Sequence, residues 1–416
     1  MTRTIHISRR LLAVAIAVGV GLALLPAAPA AAANQRIGST FFGMHDSNPA
    51  TWPNAPVGTV RLWDSGVSWR EIERTNGVFD FTRLDQQVAA ARANGARVLL
   101  VLGQTPRFHA TKPVRRGAYG VGAVSMPTKA SWTKYVSTVV RRYKGRGVDY
   151  QVWNEANVSG YWRGTPAQMA KLTQWTSRIV NSNDRAAKVA APALATRLSS
   201  QRLWLRTFYA QRTGGKKVAA YVDAVALNLY PVASGSPEAS MTLLTAVRTM
   251  LKQADVKKPI WNTEINYGLL GGGTAKRIAR SKQAAYVART FMLNAANNIK
   301  RVYWYSWDLQ KLANTSLTSD NDTSLTRAGT AYKVVRSWLT GARTKGCVRD
   351  GRGTYTCTLA YSGGVRRVYW NPSRNVTIRA VKSARASMGL AGVERSARSG
   401  VRIVVGKSPV MVRSAR

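Results

Sequence analysis

Between residues 40 and 340 the chain alternates between short, almost wholly apolar runs and longer segments with helical periodicity. The runs are "TFFGMH", "VGTVRLW", "ARVLLVLG", "VDYQVWN", "KVAAPAL", "VDAVALNLY", "PIWNTEI" and "RVYWYSW". Near-continuous apolar character is how parallel strands buried on both faces read. Between them lie stretches such as "FTRLDQQVAAARANG", "SWTKYVSTVVRRYKG", "TPAQMAKLTQWTSRIV" and "SKQAAYVARTFMLNAANN". Leu84, Val88 and Ala91 fall at helical spacing, and Gly95 stops the helix. Eight such alternations predict an α/β fold, a (β/α)8 TIM barrel, with "AYKVVRSWLT" (331–340) as its last helix. A doubly wound open sheet is the rival, but it usually carries a glycine-rich phosphate turn after its first strand. Here the first strand runs into "GMHDSNPATWP", which has none.

From residue 342 the period changes. "TYTCTLAY", "VRRVYWN", "VTIRAV" and "VRIVVGKSPVMVR" alternate and are separated by Gly, Ser and Asn. They predict a small C-terminal antiparallel β domain over 342–416, after a barrel over 34–341. Cys347 and Cys357 flank the turn-like "DGRG", and a hairpin there would set them opposite each other. A disulfide is expected, against the alternative of two buried thiols.

Residues 1–33 do not read as part of the folded product. Arg3, Arg9 and Arg10 precede an apolar run from Leu11 to Leu25, and Ala31, Ala32 and Ala33 supply small residues for cleavage. That is the pattern of a secretory signal peptide rather than a membrane anchor, which would carry a basic stop. Ser8-Arg9-Arg10 loosely matches a twin-arginine signal, so the export route stays open. No later run is long enough to span a bilayer. The expected location is outside the cell or at its envelope.

The formal charge is +44, and loss of the three leader arginines leaves +41. Such an excess attracts anionic polymers: an acidic glycan, a cell-wall polymer or nucleic acid. Export and the lack of any helix-turn-helix or zinc spacing weigh against nucleic acid. A solvated arginine-rich surface without a specific partner is the plain alternative. The three histidines, His6, His45 and His109, are too few for a typical metal site, so neither metal nor cofactor is expected.

The chain past the leader has six glutamates. Glu71 and Glu73 open a polar helix, Glu238 lies in a loop and Glu394 in the β domain. Glu155 and Glu264 differ, because each closes an apolar, aromatic strand, in "YQVWNEAN" and "PIWNTEIN". By count these are strands four and seven, and the C-terminal strand ends of a barrel carry its chemistry. A carboxyl among indoles is partly desolvated and its pKa rises, while a better hydrogen-bonded partner stays ionised. Two carboxyls held apart in this way are what glycosidic cleavage needs. For each glutamate alone, an exposed acid at a helix start is the alternative.

Those two motifs resemble the strand-four and strand-seven glutamate motifs of clan A glycoside hydrolases, most nearly family 39. "VGTVRLWDSGVSWREIERTNGVFDFTRLDQQV" and "VLLVLGQTPRF" resemble the family's second and third strands, and the likeness runs from about residue 38 to 340. The resemblance implies Glu155 as general acid/base, Glu264 as nucleophile, and Asn154 on the neighbouring sugar hydroxyl. It implies that Arg61 keeps the nucleophile ionised, that Tyr230 donates to it, and that Trp304 or Trp307 forms the sugar floor. Strand alternation puts the two tryptophans on opposite faces and leaves that choice open. Many relatives have His two positions before the strand-six Tyr, where this chain has Asn228, so His109 becomes a candidate for the site or its rim. Trp162, just past the acid, is a candidate for sugar stacking, with Trp63 and Trp69 as weaker ones. The clan's carboxyls lie about 5–5.5 Å apart, which implies a retaining hydrolase of a poly- or oligosaccharide. The other reading is a non-catalytic, cationic carbohydrate- or envelope-binding protein on a barrel scaffold.

Overall fold

The computed structural model describes residues 36–46, 48, 51–271, 274–307, 315–319 and 324–415. The leader, residues 1–33, lies outside them. Eight parallel strand positions form one ring. They are β1 (Phe42–His45), β2 (Thr59–Leu62), β3 (Arg97–Leu102), β4 (Val148–Val152), β5, β6 (Val225–Asn228), β7 (Ile260–Ile265) and β8 (Arg301–Trp304). β5 comes in two pieces, Val189–Ala190 and Leu194–Ala195. The first pairs with β4 and the second with β6. Pro192 lies between them and has no N–H for a ladder, which accounts for the break. A bridge from Ala190 to Ala224, together with the β8–β1 pairing, closes the barrel.

Among the described residues, besides the single helical turn Trp69–Ile72, seven longer helices surround the ring: α1 (Thr82–Ala93), α2 (Lys129–Tyr143), α3 (Pro166–Asn183), α4 (Ser199–Ala210), α5 (Pro237–Gln253), α6 (Arg280–Ala296) and α7 (Arg327–Leu339). The sequence pattern predicts eight alternations. Among the described residues the β1–β2 connection carries no helix, and its Pro53 and Pro56 disfavour one. Side-chain caps start several helices. Thr165 accepts from the Gln168 N–H at 3.1 Å with Pro166 in the first turn, and Thr326 caps Gly329 at 3.1 Å.

Strand alternation divides the interior. In β4, Val148, Tyr150 and Val152 join the large core against the helices. Asp149 and Gln151 point into the barrel instead. At its N-terminal end Asp149 accepts from Arg97 at 2.5 Å and from Arg301 at 2.7 Å. At the C-terminal end Gln151 accepts from Arg61 at 2.7 Å.

After α7 the chain builds β9 (Arg343–Arg349), β10 (Tyr355–Tyr361), β11 (Gly364–Trp370), β12 (Val376–Arg379), β13 (Ala384–Met388), β14 (Glu394–Ser396), β15 (Arg402–Val405) and β16 (Val410–Ser414). Six of these form an antiparallel sheet in the order β9-β10-β11-β16-β13-β14, and β12 pairs with β15. The sheet packs on the barrel helices. The Trp370 indole donates to Glu238 at 3.0 Å, Arg366 donates to the Ser337 carbonyl at 2.8 Å, and Leu359, Val368 and Met411 enter the barrel's apolar core. Cys347 and Cys357 stand directly opposite in the β9–β10 register and are joined by a disulfide. Reducing it, or replacing both cysteines by alanine, should lower stability by about 2–3 kcal/mol through added freedom of the unfolded loop. Thermal unfolding with and without reductant measures this, and an unchanged midpoint would contradict it.

Candidate active site

β4 ends where the backbone leaves the extended region. Trp153 has φ 68° and Glu155 has φ 42°, conformations that cost a residue with a side chain about 1–3 kcal/mol. Neighbours hold them there. The Trp153 N–H donates to Leu102 O at 2.8 Å, its indole donates to Tyr161 O at 2.8 Å, and its ring meets Trp162 edge-on at 4.8 Å. The aromatics beyond Glu155 therefore brace the turn that swings its carboxyl out of the sheet.

Arg61, at the end of β2, is fully buried and joins the ends of four strands. Its Nη1 donates to Glu264 Oε1 at 2.5 Å and to His45 Nε2 at 3.1 Å. Its Nη2 donates to Asn154 Oδ1 at 2.7 Å and its Nε to Gln151. Tyr230 donates to the other Glu264 oxygen at 3.2 Å. Asn228 Nδ2 donates to Glu155 Oε1 at 3.1 Å, while its own oxygen accepts from the Thr263 hydroxyl at 2.8 Å. The two glutamates thus converge on one hydrogen-bonded cluster.

Burial raises the pKa of both carboxyls, and the charge of Glu155 adds to the rise at Glu264. Their partners differ. Glu264 has a guanidinium and a phenol donating to it, and Arg61 opposes the effect of burial there. Glu155 has one neutral amide donor. Arg61 and Arg197 also lower the pKa of Glu155 through their charge, but only Glu264 has a guanidinium in hydrogen-bond contact, and that contact favours the ionised form there. Burial, then Tyr230's carboxylate neighbours, push its phenol well above its ordinary value, so it remains a donor. Burial and Arg61 hold His45 well below the ordinary imidazole value. Neutral, it accepts from Arg61.

Several residues join the site without a sequence assignment. His45 closes β1. Asp64 follows β2 and accepts from Tyr305 at 3.0 Å and from the Tyr119 hydroxyl, and its charge acts on both glutamates. The rule that singled out the glutamates, a carboxyl closing an apolar strand, would have found it in "VGTVRLWD" had it been applied to aspartate. Arg197, after β5, donates to Leu269 O at 2.8 Å, and its charge acts on Glu155 and Tyr230. Trp63, a weaker stacking candidate in the sequence, forms an aromatic wall with the half-buried Tyr119 and Tyr161, ring centroids 5.4–6.5 Å apart.

Other candidates lie elsewhere. Trp162 is buried against Trp153, so it supports the turn instead of offering a face to sugar. Trp304 packs outward on Phe291 of α6 and on Tyr267, and its indole donates to Thr315 O at 3.1 Å. It is no sugar floor. Trp307 is only 1% exposed and presents no open indole face. The ring brought beside the site from this stretch is Tyr305, packed edge-on against His45 at 4.8 Å. His109 bonds Glu73 at 3.0 Å and stacks on Trp69, away from the carboxyl pair. Trp69 is itself core, stacked on Tyr135. Among the described residues no three acidic, His or Cys side chains are grouped to hold a metal ion.

Residues 125–332 match the family described as glycosyl hydrolase catalytic core. The chain belongs to this family. It is a glycoside hydrolase, and the resemblance read from "VWNEAN" and "IWNTEIN" stands. Membership sets aside the non-catalytic binding protein. No curated protein matches the chain. Among solved structures it is similar to a family 39 glycoside hydrolase from Bacteroides cellulosilyticus, at 16% identity and TM-score 0.70, over 91% of this chain and 81% of that one. It is also similar to a monomeric beta-xylosidase from Caulobacter crescentus, at 16% identity and TM-score 0.66, covering 92% and 98%. A GH30 endoxylanase from Clostridium papyrosolvens gives 12% identity and TM-score 0.64, covering 94% and 99%. At these identities what is shared is the fold, a barrel of the family 39 type. The glycosidase's Arg61 is the natural test of the cluster. In Arg61→Gln the Glu264 carboxylate loses its guanidinium, so its pKa rises further and the acid limb of the kcat/KM–pH profile moves to higher pH. Stability should also fall by about 3–5 kcal/mol, because the change breaks a buried pair. An acid limb that stays in place would show that Arg61 does not set the charge on Glu264.

Proposed function

We propose that this glycoside hydrolase is a secreted, retaining enzyme in which Glu264 is the nucleophile and Glu155 the acid/base. The observation that carries this reading is the unequal hydrogen bonding of two buried carboxyls in one cluster, with Glu264 accepting from the Arg61 guanidinium and Tyr230, and Glu155 from the neutral Asn228 amide. A Glu264 oxygen attacks the anomeric carbon while the Glu155 proton passes to the departing oxygen. The bond to the leaving group breaks and a glycosyl-enzyme ester forms. Glu155, now a carboxylate, takes a proton from water, whose oxygen displaces Glu264 and releases the sugar. Asn154 has its oxygen turned to Arg61, which leaves its Nδ2 to donate to the hydroxyl beside the reacting carbon. Arg61, which holds Glu264, and Asn228, which holds Glu155, both donate to Asn154 Oδ1, and that link supports the short separation of about 5–5.5 Å that retention requires.

Two of the similar structures are a beta-xylosidase and an endoxylanase, which makes β-xylosides the first substrates to try. The leader pattern and the disulfide support export, and the positive charge supports an anionic glycan or cell-wall polymer as the setting.

Glu264→Gln should abolish turnover of every substrate, and near-normal rates would refute the nucleophile assignment. Glu155→Gln should slow natural glycosides by roughly 10²–10⁴-fold and spare activated aryl glycosides, which leave without a proton. Equal losses on both would count against the acid role. For the wild type, kcat/KM should follow a bell-shaped pH curve with both limbs above the ordinary glutamate value of about 4.3, since both carboxyls are raised. NMR of the first-formed anomer decides retention against inversion. N-terminal sequencing of exported protein should find a start near residue 34, and an intact leader would contradict cleavage.

A further inference from the structure

The two-stranded ribbon of β12 and β15 covers the side of the β domain's sheet that is turned away from the barrel. Packing accounts for its inner face. Val376, Ile378, Ile403 and Val405 lie on Tyr369 and Val412 of the sheet, while the adjacent Val368 and Met411 point the other way into the core shared with the barrel. Packing does not account for its outer face. Arg379 and Arg402 stand directly opposite each other in the register, and both are exposed. Like charges in that position repel and weaken the pairing of the two strands. The other outward pair is Thr377 and Val404, the valine 63% exposed.

The chain at this end of the ribbon adds more charge. Gly400 N–H donates to Ala380 O at 3.0 Å and Ala380 N–H to Val401 O at 2.9 Å, so turns 381–384 and 398–401 leave the ribbon beside the arginine pair. They carry the exposed Lys382 and Arg398. Ala397 N–H donates to Arg385 O at 3.1 Å, which sets exposed Arg385 next to Arg398 along the backbone. Residues 372–409 hold eight Lys and Arg and a single acid, Glu394, which is paired with Arg413. Among the described residues, none of the side chains of Arg379, Arg402, Lys382, Arg385 and Arg398 makes a hydrogen bond or an ion pair. On the barrel, by contrast, Arg142 is answered by Asp85 and Lys257 by Asp255. The fold gains nothing from cations gathered without acids, and an anion from outside would relieve their repulsion. Most of them are arginines, whose planar forks take carboxylates two bonds at a time.

We propose that the outer face of the β12–β15 ribbon, with the two turns at its end, is a docking surface for a linear carboxylated polysaccharide. Carboxylates along the polymer lie against Arg379, Arg402 and their neighbours, and Val404 meets the C–H side of the sugars. A polysaccharide is the polyanion that a glycoside hydrolase has to meet, and an exposed valine offers it apolar contact that a bare ion would not use. This deepens the acidic-glycan setting given above by naming the surface, and it does not depend on the roles of Glu155 and Glu264.

The test uses the full chain carrying Glu264→Gln, titrated calorimetrically with polygalacturonate, with dextran and with a single-stranded oligodeoxynucleotide of equal charge. Polygalacturonate should bind and neutral dextran should not; equal binding of dextran would overturn the proposal. Arg379→Gln with Arg402→Gln should weaken polygalacturonate binding at least fivefold and make it less sensitive to salt. Lys134→Gln with Arg146→Gln, an equal charge change on and just past α2, should alter it less than twofold. The ribbon variant should melt no lower than its parent, because it removes a like-charged pair. A lower midpoint would assign the arginines to the fold and overturn the proposal. Equal weakening in the two double variants would mean diffuse attraction, so that the acidic setting would stand and this surface would fall. No binding of polygalacturonate to the parent would remove both. Tighter binding of the oligonucleotide, lost in the ribbon variant, would make nucleic acid the occupant and also overturn the proposal. With Glu264 restored, the ribbon variant should keep kcat/KM on a small neutral aryl glycoside, and a loss there would tie these arginines to the catalytic mouth instead.

Discussion

One buried guanidinium organises the catalytic mouth. Arg61 has no exposure, so each of its donors must find an acceptor inside the barrel. It finds them at the ends of three other strands: His45 on β1, Gln151 and Asn154 on and beyond β4, and Glu264 on β7. A guanidinium presents its N–H groups in a fixed planar fork, so satisfying it also fixes where these partners stand. The hydrogen bonding of Glu264 and the orientation of the Asn154 amide follow from this one buried charge, which also adds to burial in keeping His45 neutral. The site is positioned by the barrel's own need to solvate an arginine.

The interior repeats the device at the other end. Asp149 gathers Arg97 and Arg301 beneath small residues such as Ala190, Ala224 and Ala226, and Tyr303 bonds Thr59 at 3.1 Å between the ends. At the bottom the aspartate is the hub and the arginines surround it. At the top the arginine is the hub and the acceptors surround it. That inversion gathers carboxyls, Glu155, Glu264 and Asp64, at the upper mouth and arginines around one aspartate at the other end.

The left-handed residues at the end of β4 serve the same arrangement. Trp153 and Glu155 leave the strand conformation because Trp162, Tyr161 and Leu102 hold the turn. The acid then reaches Asn228 on β6 without sharing the donors that keep Glu264 ionised. Two identical side chains acquire different proton affinities from which strand end each meets.

Much of this was legible in order along the chain. The near-continuous apolar runs gave every barrel strand, because a strand buried on both faces leaves no room for polar alternation, and the two glutamates stood out because charge at the end of such a run is costly without a purpose. The cysteine pairing was local enough to read from a turn. The roles of the aromatics were not. Trp304 and Trp307 lie at or just past a strand end as Trp63 and Tyr305 do, and Trp162 lies in the loop after β4; only the packing of α6, Trp153 and the loops determines which ring meets the pocket and which the core. His45 and Asp64 bond residues some hundreds of positions away. Their meeting depends on barrel closure, which the sequence implies as a fold class but does not specify contact by contact. Local periodicity fixes which residues are buried, and tertiary packing alone fixes what each buried side chain faces.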